Sequence, residues 1–578
     1  MAIRPKVQDP FKLETLIDLF HHTLARPELF GKQCLQIVRT ELSESTTFGQ
    51  LKTRAHGFAQ WLTQDGDIRP RDKVAILGKN RIDWDIALWG IVLAGAVPVL
   101  IDPERVVEAV KSHLIHTDAR AIVVADDYQD AGSRDALAEF AKSKRVGLFE
   151  MTRVASRNFP GDTAQALADI HAKVQPDDTA VVLCTSGTTG DPREVELTHA
   201  NLMANIRGSV QKVKLTDRDK LGHILPPHHS FGLTVGKLLP FWAGATNVYT
   251  NKYRYIPDFI RENEITIFVA VPALFTVLAK NIEENVATQK RQGLFVRMLD
   301  RYLPKLLGKG IIRKLGWGEL RFFLSGSAPV PRWVLDVLWR RGILLYEGYG
   351  TTENSPVYGF NDSPQKLGSV GKPISTLLVR IVDDNKHALP AGEKGEIALG
   401  GPCIMKGYYK NAAATEAAVW TDRDGTRWLR TGDLGYLDTD GNLFITGRKK
   451  FLIVLPGGKK VHPERVESEL SQARFVKEIL VVPGLRKSSA GVIQEAIKAL
   501  VQPAWDQIEM HTRLAQSELA KQPQMLKSLI WRSIDECQRK SRQLSHFEKV
   551  SSQHVEIAIE EFQKTSTGKI RREAYMKL

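Results

Sequence analysis

Leu183-Cys-Thr-Ser-Gly-Thr-Thr-Gly-Asp-Pro-Arg-Glu-Val-Glu-Leu-Thr-His-Ala-Asn-Leu202 sets a hydroxyl-rich, glycine-containing loop directly after an apolar run. Upstream, Thr179-Ala-Val-Val-Leu183 has the β-branched, apolar character of a buried strand that delivers the chain to a tight turn. Gly187 and Gly190 free the backbone there, and Thr185, Ser186, Thr188 and Thr189 supply hydroxyl donors. Exposed N–H groups in such a loop form a concavity suited to phosphate oxygens. No Gly-x-x-x-x-Gly-Lys-Ser/Thr run occurs in the chain, so the loop is not of the Walker type. By composition alone it fits a solvated Ser/Thr/Gly turn as well as a polyphosphate cradle.

Further segments decide between the two. Val74-Ala-Ile-Leu, Ala94-Gly-Ala-Val-Pro-Val and Asp102-Pro103 come before the loop, and Leu225-Pro-Pro-His-His-Ser-Phe-Gly232 comes after it. Then follow Ser325-Gly-Ser-Ala-Pro329, Tyr346-Glu-Gly-Tyr-Gly-Thr-Thr-Glu353, Arg430-Thr-Gly-Asp-Leu-Gly435, Gly447-Arg-Lys-Lys450 and Thr565-Ser-Thr-Gly-Lys-Ile-Arg-Arg572. In this order, over most of the chain, they resemble the AMP-forming adenylating superfamily of acyl-CoA synthetases, firefly-type luciferases and peptide-synthetase adenylation domains. The string from Leu225 to Val235 is most similar to that of long-chain fatty acid–CoA ligases and acyl-carrier-protein synthetases.

Size and composition agree with a large globular enzyme. At 578 residues the chain exceeds one ordinary core, and 43% hydrophobic with 25% charged residues is a folded composition. Strand-like runs at Val74–Leu77, Ala121–Val124, Ala180–Leu183, Ile267–Val271 and Ile343–Tyr346 alternate with helical patterns, which predicts mainly parallel sheets covered by helices. The most apolar window, Ile86 to Ile101, is interrupted by Gly90 and Gly95 and reads as a core helix running into a strand. Beyond Gly441-Asn442, a turn signal before an alternating strand, Val466–Gln472 and Trp505–Phe547 read as helical around a strand at Ile479–Val482. The fold class is therefore α/β: a large N-terminal multi-subdomain region (1–447) with mixed, mainly parallel sheets, and a small α+β C-terminal domain (448–578), which the resemblance makes mobile.

Cys34, Cys184, Cys403 and Cys537 are far apart and have no metal-ligand spacing, which points to a reducing compartment and away from zinc. The pairs His21-His22 and His228-His229 show no accompanying carboxylate arrangement that would suggest a metal. A formal charge of +14 fits phosphate-rich substrates or an anionic membrane surface; no zinc-finger or RNA-recognition signature supports nucleic acid. Between Lys290 and Lys314, Phe295, Val296, Leu299, Tyr302, Leu303, Leu306 and Leu307 alternate with basic residues in the pattern of one amphipathic helix, readable as an interfacial helix or as a solvated face on a packed one. The expected location is cytoplasmic, with this segment as a peripheral membrane contact.

The resemblance also implies roles for single residues. A carboxylic acid is activated by ATP to an acyl-adenylate, and the acyl group then passes to CoA. The loop Thr185, Ser186, Gly187, Thr188, Thr189 and Gly190 would hold phosphates. Glu353, assisted by Thr185, would bind Mg2+, for which hard carboxylate oxygen is suited. Lys569 would bridge the acid and the α-phosphate, with Thr352 on the same phosphate. Tyr349, with Gly350 and Thr351, would stack on adenine beside Ser327 and Ala328, and Asp433 and Arg448 would hold the ribose. His229 would border the acyl and thiol channels. Lys450 is the implied hinge, and Gly457, Gly458 and Lys459 the implied CoA channel.

Three departures stand out. Arg193-Glu194 replace the frequent Lys-Gly after the phosphate loop, Phe451 replaces the frequent aspartate at the hinge, and Gln563-Lys564 lack the proline common before the last motif. The implied substrate is a medium-to-long chain fatty acid. Acyl carrier protein as acceptor, a luciferase-like oxygenase and a silent acyl- or nucleotide-binding protein are the alternatives.

Overall fold

The computed structural model describes residues 12–38, 43–152, 163–185, 193–251, 256–456, 458–487, 493–541, 543–565 and 568–576. Two parallel-rich sheets organise the first part of the chain. One runs in the order Gly407–Tyr408, Arg193–Thr198, Thr179–Thr185, Val97–Leu100, Lys73–Leu77, Ala119–Val124, Gly147–Glu150. The other runs Gly359–Asn361, Leu345–Tyr349, Phe322–Ser325, Ile267–Ala270, Lys220–His223, Thr246–Tyr249, Gln33–Val38, Ser43–Thr47. Their inner strands pair in parallel and only the margins are antiparallel. Val97–Leu100 and Phe322–Ser325 are buried at every position, as strands covered by helices on both faces must be. The helices announce themselves locally: Thr47 with Gln50 and Thr198 with Asn201 form capping boxes at the helices Phe48–Gln64 and His199–Val213.

The apolar window resolves into the helix Ile82–Leu93 and the strand Val97–Leu100, as expected. A third sheet differs from the parallel expectation. Leu378–Val382, Gly395–Gly400 and Arg427–Leu437 pair antiparallel, and Val419–Thr421 and Leu443–Arg448 both pair with Arg427–Leu437. Short hairpin connections such as the turn at Asp438–Gly441 permit this arrangement, where parallel pairing needs a crossover.

The C-terminal residues build a separate core around Val461, Val466, Val481, Val501, Ile530 and Val555. A three-stranded sheet, Val476–Lys487, Ile493–Pro503 and Val555–Ile557, carries the helices Pro463–Leu470 and Pro523–Lys540. The stretch Trp505–Phe547 is not continuously helical: it breaks into Trp505–Thr512, Gln516–Leu519 and Pro523–Lys540, because Arg513 adopts a left-handed cap and Pro523 starts a new helix. The segment 290–314 is likewise two helices, Leu294–Tyr302 and Pro304–Leu315, separated where Pro304 cannot donate to the preceding turn. Among the described residues, no helix is long and apolar enough to cross a membrane.

A buried ion pair ties the two parallel-rich sheets' helices together. Lys237 Nζ lies 2.8 Å from Asp85 Oδ2, which also accepts from the Tyr249 hydroxyl at 3.0 Å, and the ammonium sits 3.9 Å above the Tyr249 ring. Both charged side chains are 2% exposed, so removing one strands the other away from water. Lys237→Met is expected to lower stability by about 3–5 kcal/mol, read as an earlier first transition in urea unfolding. Adding Asp85→Leu should recover most of that loss.

Candidate active site

A cavity of about 1860 Å³ runs between the large region and the C-terminal residues. The strand Thr179–Thr185 and its antiparallel neighbour Arg193–Thr198 bring the phosphate-loop hairpin to it, with Thr185 opposite Arg193. Thr185 lines the cavity and its hydroxyl donates to the Arg193 carbonyl at 2.9 Å. Ser186, Gly187, Thr188, Thr189 and Gly190 lie outside the described residues.

The strand Leu345–Tyr349 ends at the cavity and turns through Gly350, where a Cβ would overlap the Pro356 carbonyl oxygen, so only glycine fits. Thr351 then caps the short turn Thr352–Asn354, its N–H donating to Asn354 Oδ1 at 2.6 Å. This fixes Thr352, whose hydroxyl is 3.0 Å from Ser230 Oγ, and Glu353, whose Oε1 accepts from the Tyr408 hydroxyl at 2.9 Å. Arg193 lies over the Tyr408 ring, 5.0 Å from its centroid. The site thus has a carboxylate, a cation and a row of hydroxyls on one wall.

The antiparallel sheet supplies the opposite wall. Asp433 and Arg448 are paired across adjacent strands, and Arg448 Nε lies 3.1 Å from Asp433 Oδ1. Asp433 Oδ2 accepts from the Tyr349 hydroxyl at 2.7 Å. Burial, and then the Asp433 charge, push the Tyr349 phenol well above its ordinary value, so it stays a donor at any physiological pH. Asp433 in turn raises the Arg448 guanidinium. Ser327 and Ala328 line the same cavity, on a loop held by Glu347, which accepts from the Val330 N–H at 2.8 Å. Burial lifts the Glu347 carboxyl to about 7.

Lys569 reaches the cavity from the C-terminal side. Its side chain is open to the water of the cleft but walled by protein. That enclosure, with Arg448 nearby, lowers the ammonium to about 8, and Asp433 opposes the shift. His229 lines the cavity too; burial, with His228 beside it, drives its imidazole well below the ordinary value and leaves it neutral. Two cross-cleft bonds accompany this placement: Lys280 Nζ donates to the Val476 carbonyl at 2.9 Å, and Trp333 Nε1 to Ser471 Oγ at 3.2 Å.

Other expected residues are not gathered here. Lys450 Nζ pairs with Glu573 at 2.7 Å while Phe451, buried, lies under the Arg572 guanidinium. Gly458 takes a left-handed φ of +73° in the turn between Ile453–Leu455 and Lys459–Val461, and the exposed Lys459 lies over the Phe547 ring. None of Lys450, Gly458 and Lys459 lines the cavity; Gly457 is outside the described residues.

The Cys184 sulfur, His113 and Glu194 place donor atoms within 4.8 Å of one another, an assembly from three separate segments that spacing could not reveal. The hydrogen bonding accounts for it without an ion. Arg105 Nη1 donates to His113 Nε2 at 3.2 Å, so Nδ1 carries the proton and donates to Glu194 Oε1 at 2.7 Å. His228 lies 3.5 Å from one carboxylate, that of Asp102. Sequence reasoning also missed Tyr408, whose neighbours in the chain carry no spacing signal, and gave no role to Glu347, although it stands within the quoted Tyr346–Glu353 string.

The pattern of the AMP-binding enzymes matches residues 31–409, and that of the AMP-binding enzyme C-terminal domain matches 451–578. The chain belongs to the AMP-binding enzymes. It is 26% identical over 535 residues to a long-chain-fatty-acid–CoA ligase of Escherichia coli O6:H1, covering 86% of this chain and 87% of that one. A long-chain-fatty-acid–CoA ligase of Mycobacterium bovis is 29% identical over 500 residues, covering 80% and 79%. Among solved structures, an anthranilate CoA ligase in complex with anthranoyl-AMP superposes with a TM-score of 0.73 at 21% identity over 97% of this chain and 96% of that one. The o-succinylbenzoate CoA synthetase of Bacillus subtilis with its acyl-adenylate gives 0.70 at 21% identity over 96% and 97%. These likenesses show the fold that the sequence motifs implied.

The placement of Lys569 beside Arg448 has a direct consequence. Titration of the reductively methylated lysine by NMR is expected to show a midpoint near 8 for the ligand-free protein. Arg448→Ala should move it upward, because a repelling cation leaves and Asp433 loses a competing partner.

Proposed function

We propose that this AMP-binding enzyme is an acid–thiol ligase that converts a medium-to-long chain fatty acid, ATP and CoA into acyl-CoA, AMP and pyrophosphate. The observation that carries the reading is the convergence on one cavity of Lys569, Glu353, Thr352, Asp433 and Arg448. In the first half-reaction an acid oxygen attacks the α-phosphorus, the bond to pyrophosphate breaks, and the mixed anhydride remains. In-line positioning and neutralisation of phosphate charge lower that barrier. Lys569 bridges the acid carboxylate and the α-phosphate, with Thr352 on the same phosphate. Asp433 accepts from the ribose hydroxyls beside Arg448, and Tyr349, Gly350, Thr351, Ser327 and Ala328 enclose adenine.

Glu353 and Thr185 would hold Mg2+. The carboxylate at the cavity wall, held by the Tyr408 hydroxyl, suits a hard cation, which when bound neutralises phosphate charge. In the second half-reaction the thiol sulfur attacks the acyl carbonyl, AMP departs with the P–O bond intact, and the thiol proton is released. The domains divide at 447/448, and rotation about Lys450 withdraws Lys569 and brings Gly457, Gly458 and Lys459 to the thiol path beside His229. That neither Gly458 nor Lys459 lines the cavity suits the adenylate-forming arrangement.

For the acid, the support is the apolar lining by Val213, Leu215, Leu221, Val235, Leu239 and Ile267, which suits an alkyl chain, together with the similarity to the long-chain-fatty-acid–CoA ligases of Escherichia and Mycobacterium. The solved neighbours act on anthranilate and o-succinylbenzoate, so chain length is the question to test.

Pyrophosphate release measured across a fatty-acid series, with and without CoA, should show a chain-length optimum and CoA-dependent thioester. Adenylate without thioester would favour a carrier-protein acceptor, and no turnover with any acid would overturn the reading. Lys569→Ala should slow adenylate formation at least about 100-fold, while thiolysis of supplied acyl-adenylate stays within a few-fold of the unaltered enzyme. In the ligand-free state the kcat/KM for adenylation should fall as pH rises through about 8, where Lys569 loses its proton.

A further inference from the structure

We propose that the helices Leu294–Tyr302 and Pro304–Leu315 form a docking surface for an anionic lipid bilayer. This goes beyond the ligase reading, and its test needs no turnover. The two helices have two apolar faces rather than one. Leu307, Ile311, Ile312 and Leu315 pack against the core built on Phe268, Phe323 and Trp339, and Gly308 is buried where a Cβ would overlap the Arg341 carbonyl. That face explains why the helices adhere to the protein.

The other face has no such explanation. Phe295, Met298 and Tyr302 follow one another at helical spacing of three and four residues, and Leu303 and Leu306 continue the patch onto the second helix. All five are between 54% and 72% exposed. A solvated helix face would carry polar residues at these positions.

Charge selects the partner. Residues 294–315 contain Arg297, Arg301, Lys305, Lys309, Arg313 and Lys314, all exposed, and a single acid, Asp300. Asp300 is buried and lies 2.8 Å from Arg341 Nη2, so six cations face one acid on these helices. Large apolar side chains flanked by cations are what an anionic headgroup layer receives: the former enter the acyl boundary and the latter remain among phosphates. A second copy of this surface would instead set six cations against six.

The test is flotation of the full-length protein with vesicles of phosphatidylcholine alone and of phosphatidylcholine mixed with phosphatidylglycerol, without nucleotide or acid. Partition should be at least about tenfold stronger to the mixed vesicles and should weaken at high salt. Phe295→Ser with Met298→Ser, and separately Arg297→Glu with Arg301→Glu, should each lower it about tenfold or more at an unchanged unfolding temperature. Partition of both variants equal to that of the unaltered protein, or indifference to phosphatidylglycerol, would overturn the proposal. So would a concentration-dependent dimer that the apolar variant abolishes, since that would assign the patch to a second copy.

Discussion

The carboxylate of Asp433 is the tie on which the candidate site depends. It receives the Tyr349 hydroxyl from the end of a parallel sheet and faces the Arg448 guanidinium at the close of an antiparallel one. The strand Leu345–Tyr349 and the hairpin of Arg427–Leu437 and Leu443–Arg448, distant in sequence, thereby share one buried acceptor. A carboxylate 5% exposed is tolerable only with partners of this kind, so a charge that is costly to bury also fixes the walls of the cleft. Lys569, coming from the far end of the chain, meets a surface that is already organised.

The departure from the family pattern at Glu194 is answered in the same way. Where glycine is frequent, an acid stands at the root of the phosphate-loop hairpin, 3% exposed. It is received by His113, which is oriented from behind by Arg105. The relay anchors the strand Arg193–Thr198 to the helix Val107–His116 on the other side of Cys184. A substitution that would be costly alone is accommodated because a histidine of the right tautomer waits opposite it.

Much of this was legible in the chain. Runs such as Val97–Leu100, apolar at every position, can hardly be anything but doubly covered strands, and short motifs with glycine and hydroxyl residues survive as strings because their backbones admit few alternatives. The ends of the helices were readable where Thr47 and Thr198 cap them. What escaped depends on tertiary assembly. The antiparallel sheet hides in strands joined by tight hairpins. The break at Pro304 was written in the sequence, but which of the two apolar faces would be covered depended on the core beneath. Tyr408 acquires its partner Glu353 from 55 positions away in the chain, and Asp102 meets His228 only because loops that follow strands of the two different parallel-rich sheets come together.

The cross-cleft bonds of Lys280 and Trp333 carry a consequence of their own. One ends on a main-chain carbonyl and the other on a serine hydroxyl, and neither sets opposite charges against each other. Water can replace such partners at little net loss, since an ordinary hydrogen bond contributes about 1 kcal/mol. These two contacts therefore fasten the C-terminal residues to the large region without a buried charge pair, and either can be lost at small cost. For the proposed hinge motion the consequence is that the occupant of the cavity, rather than these bonds, would set how long the two sides stay together.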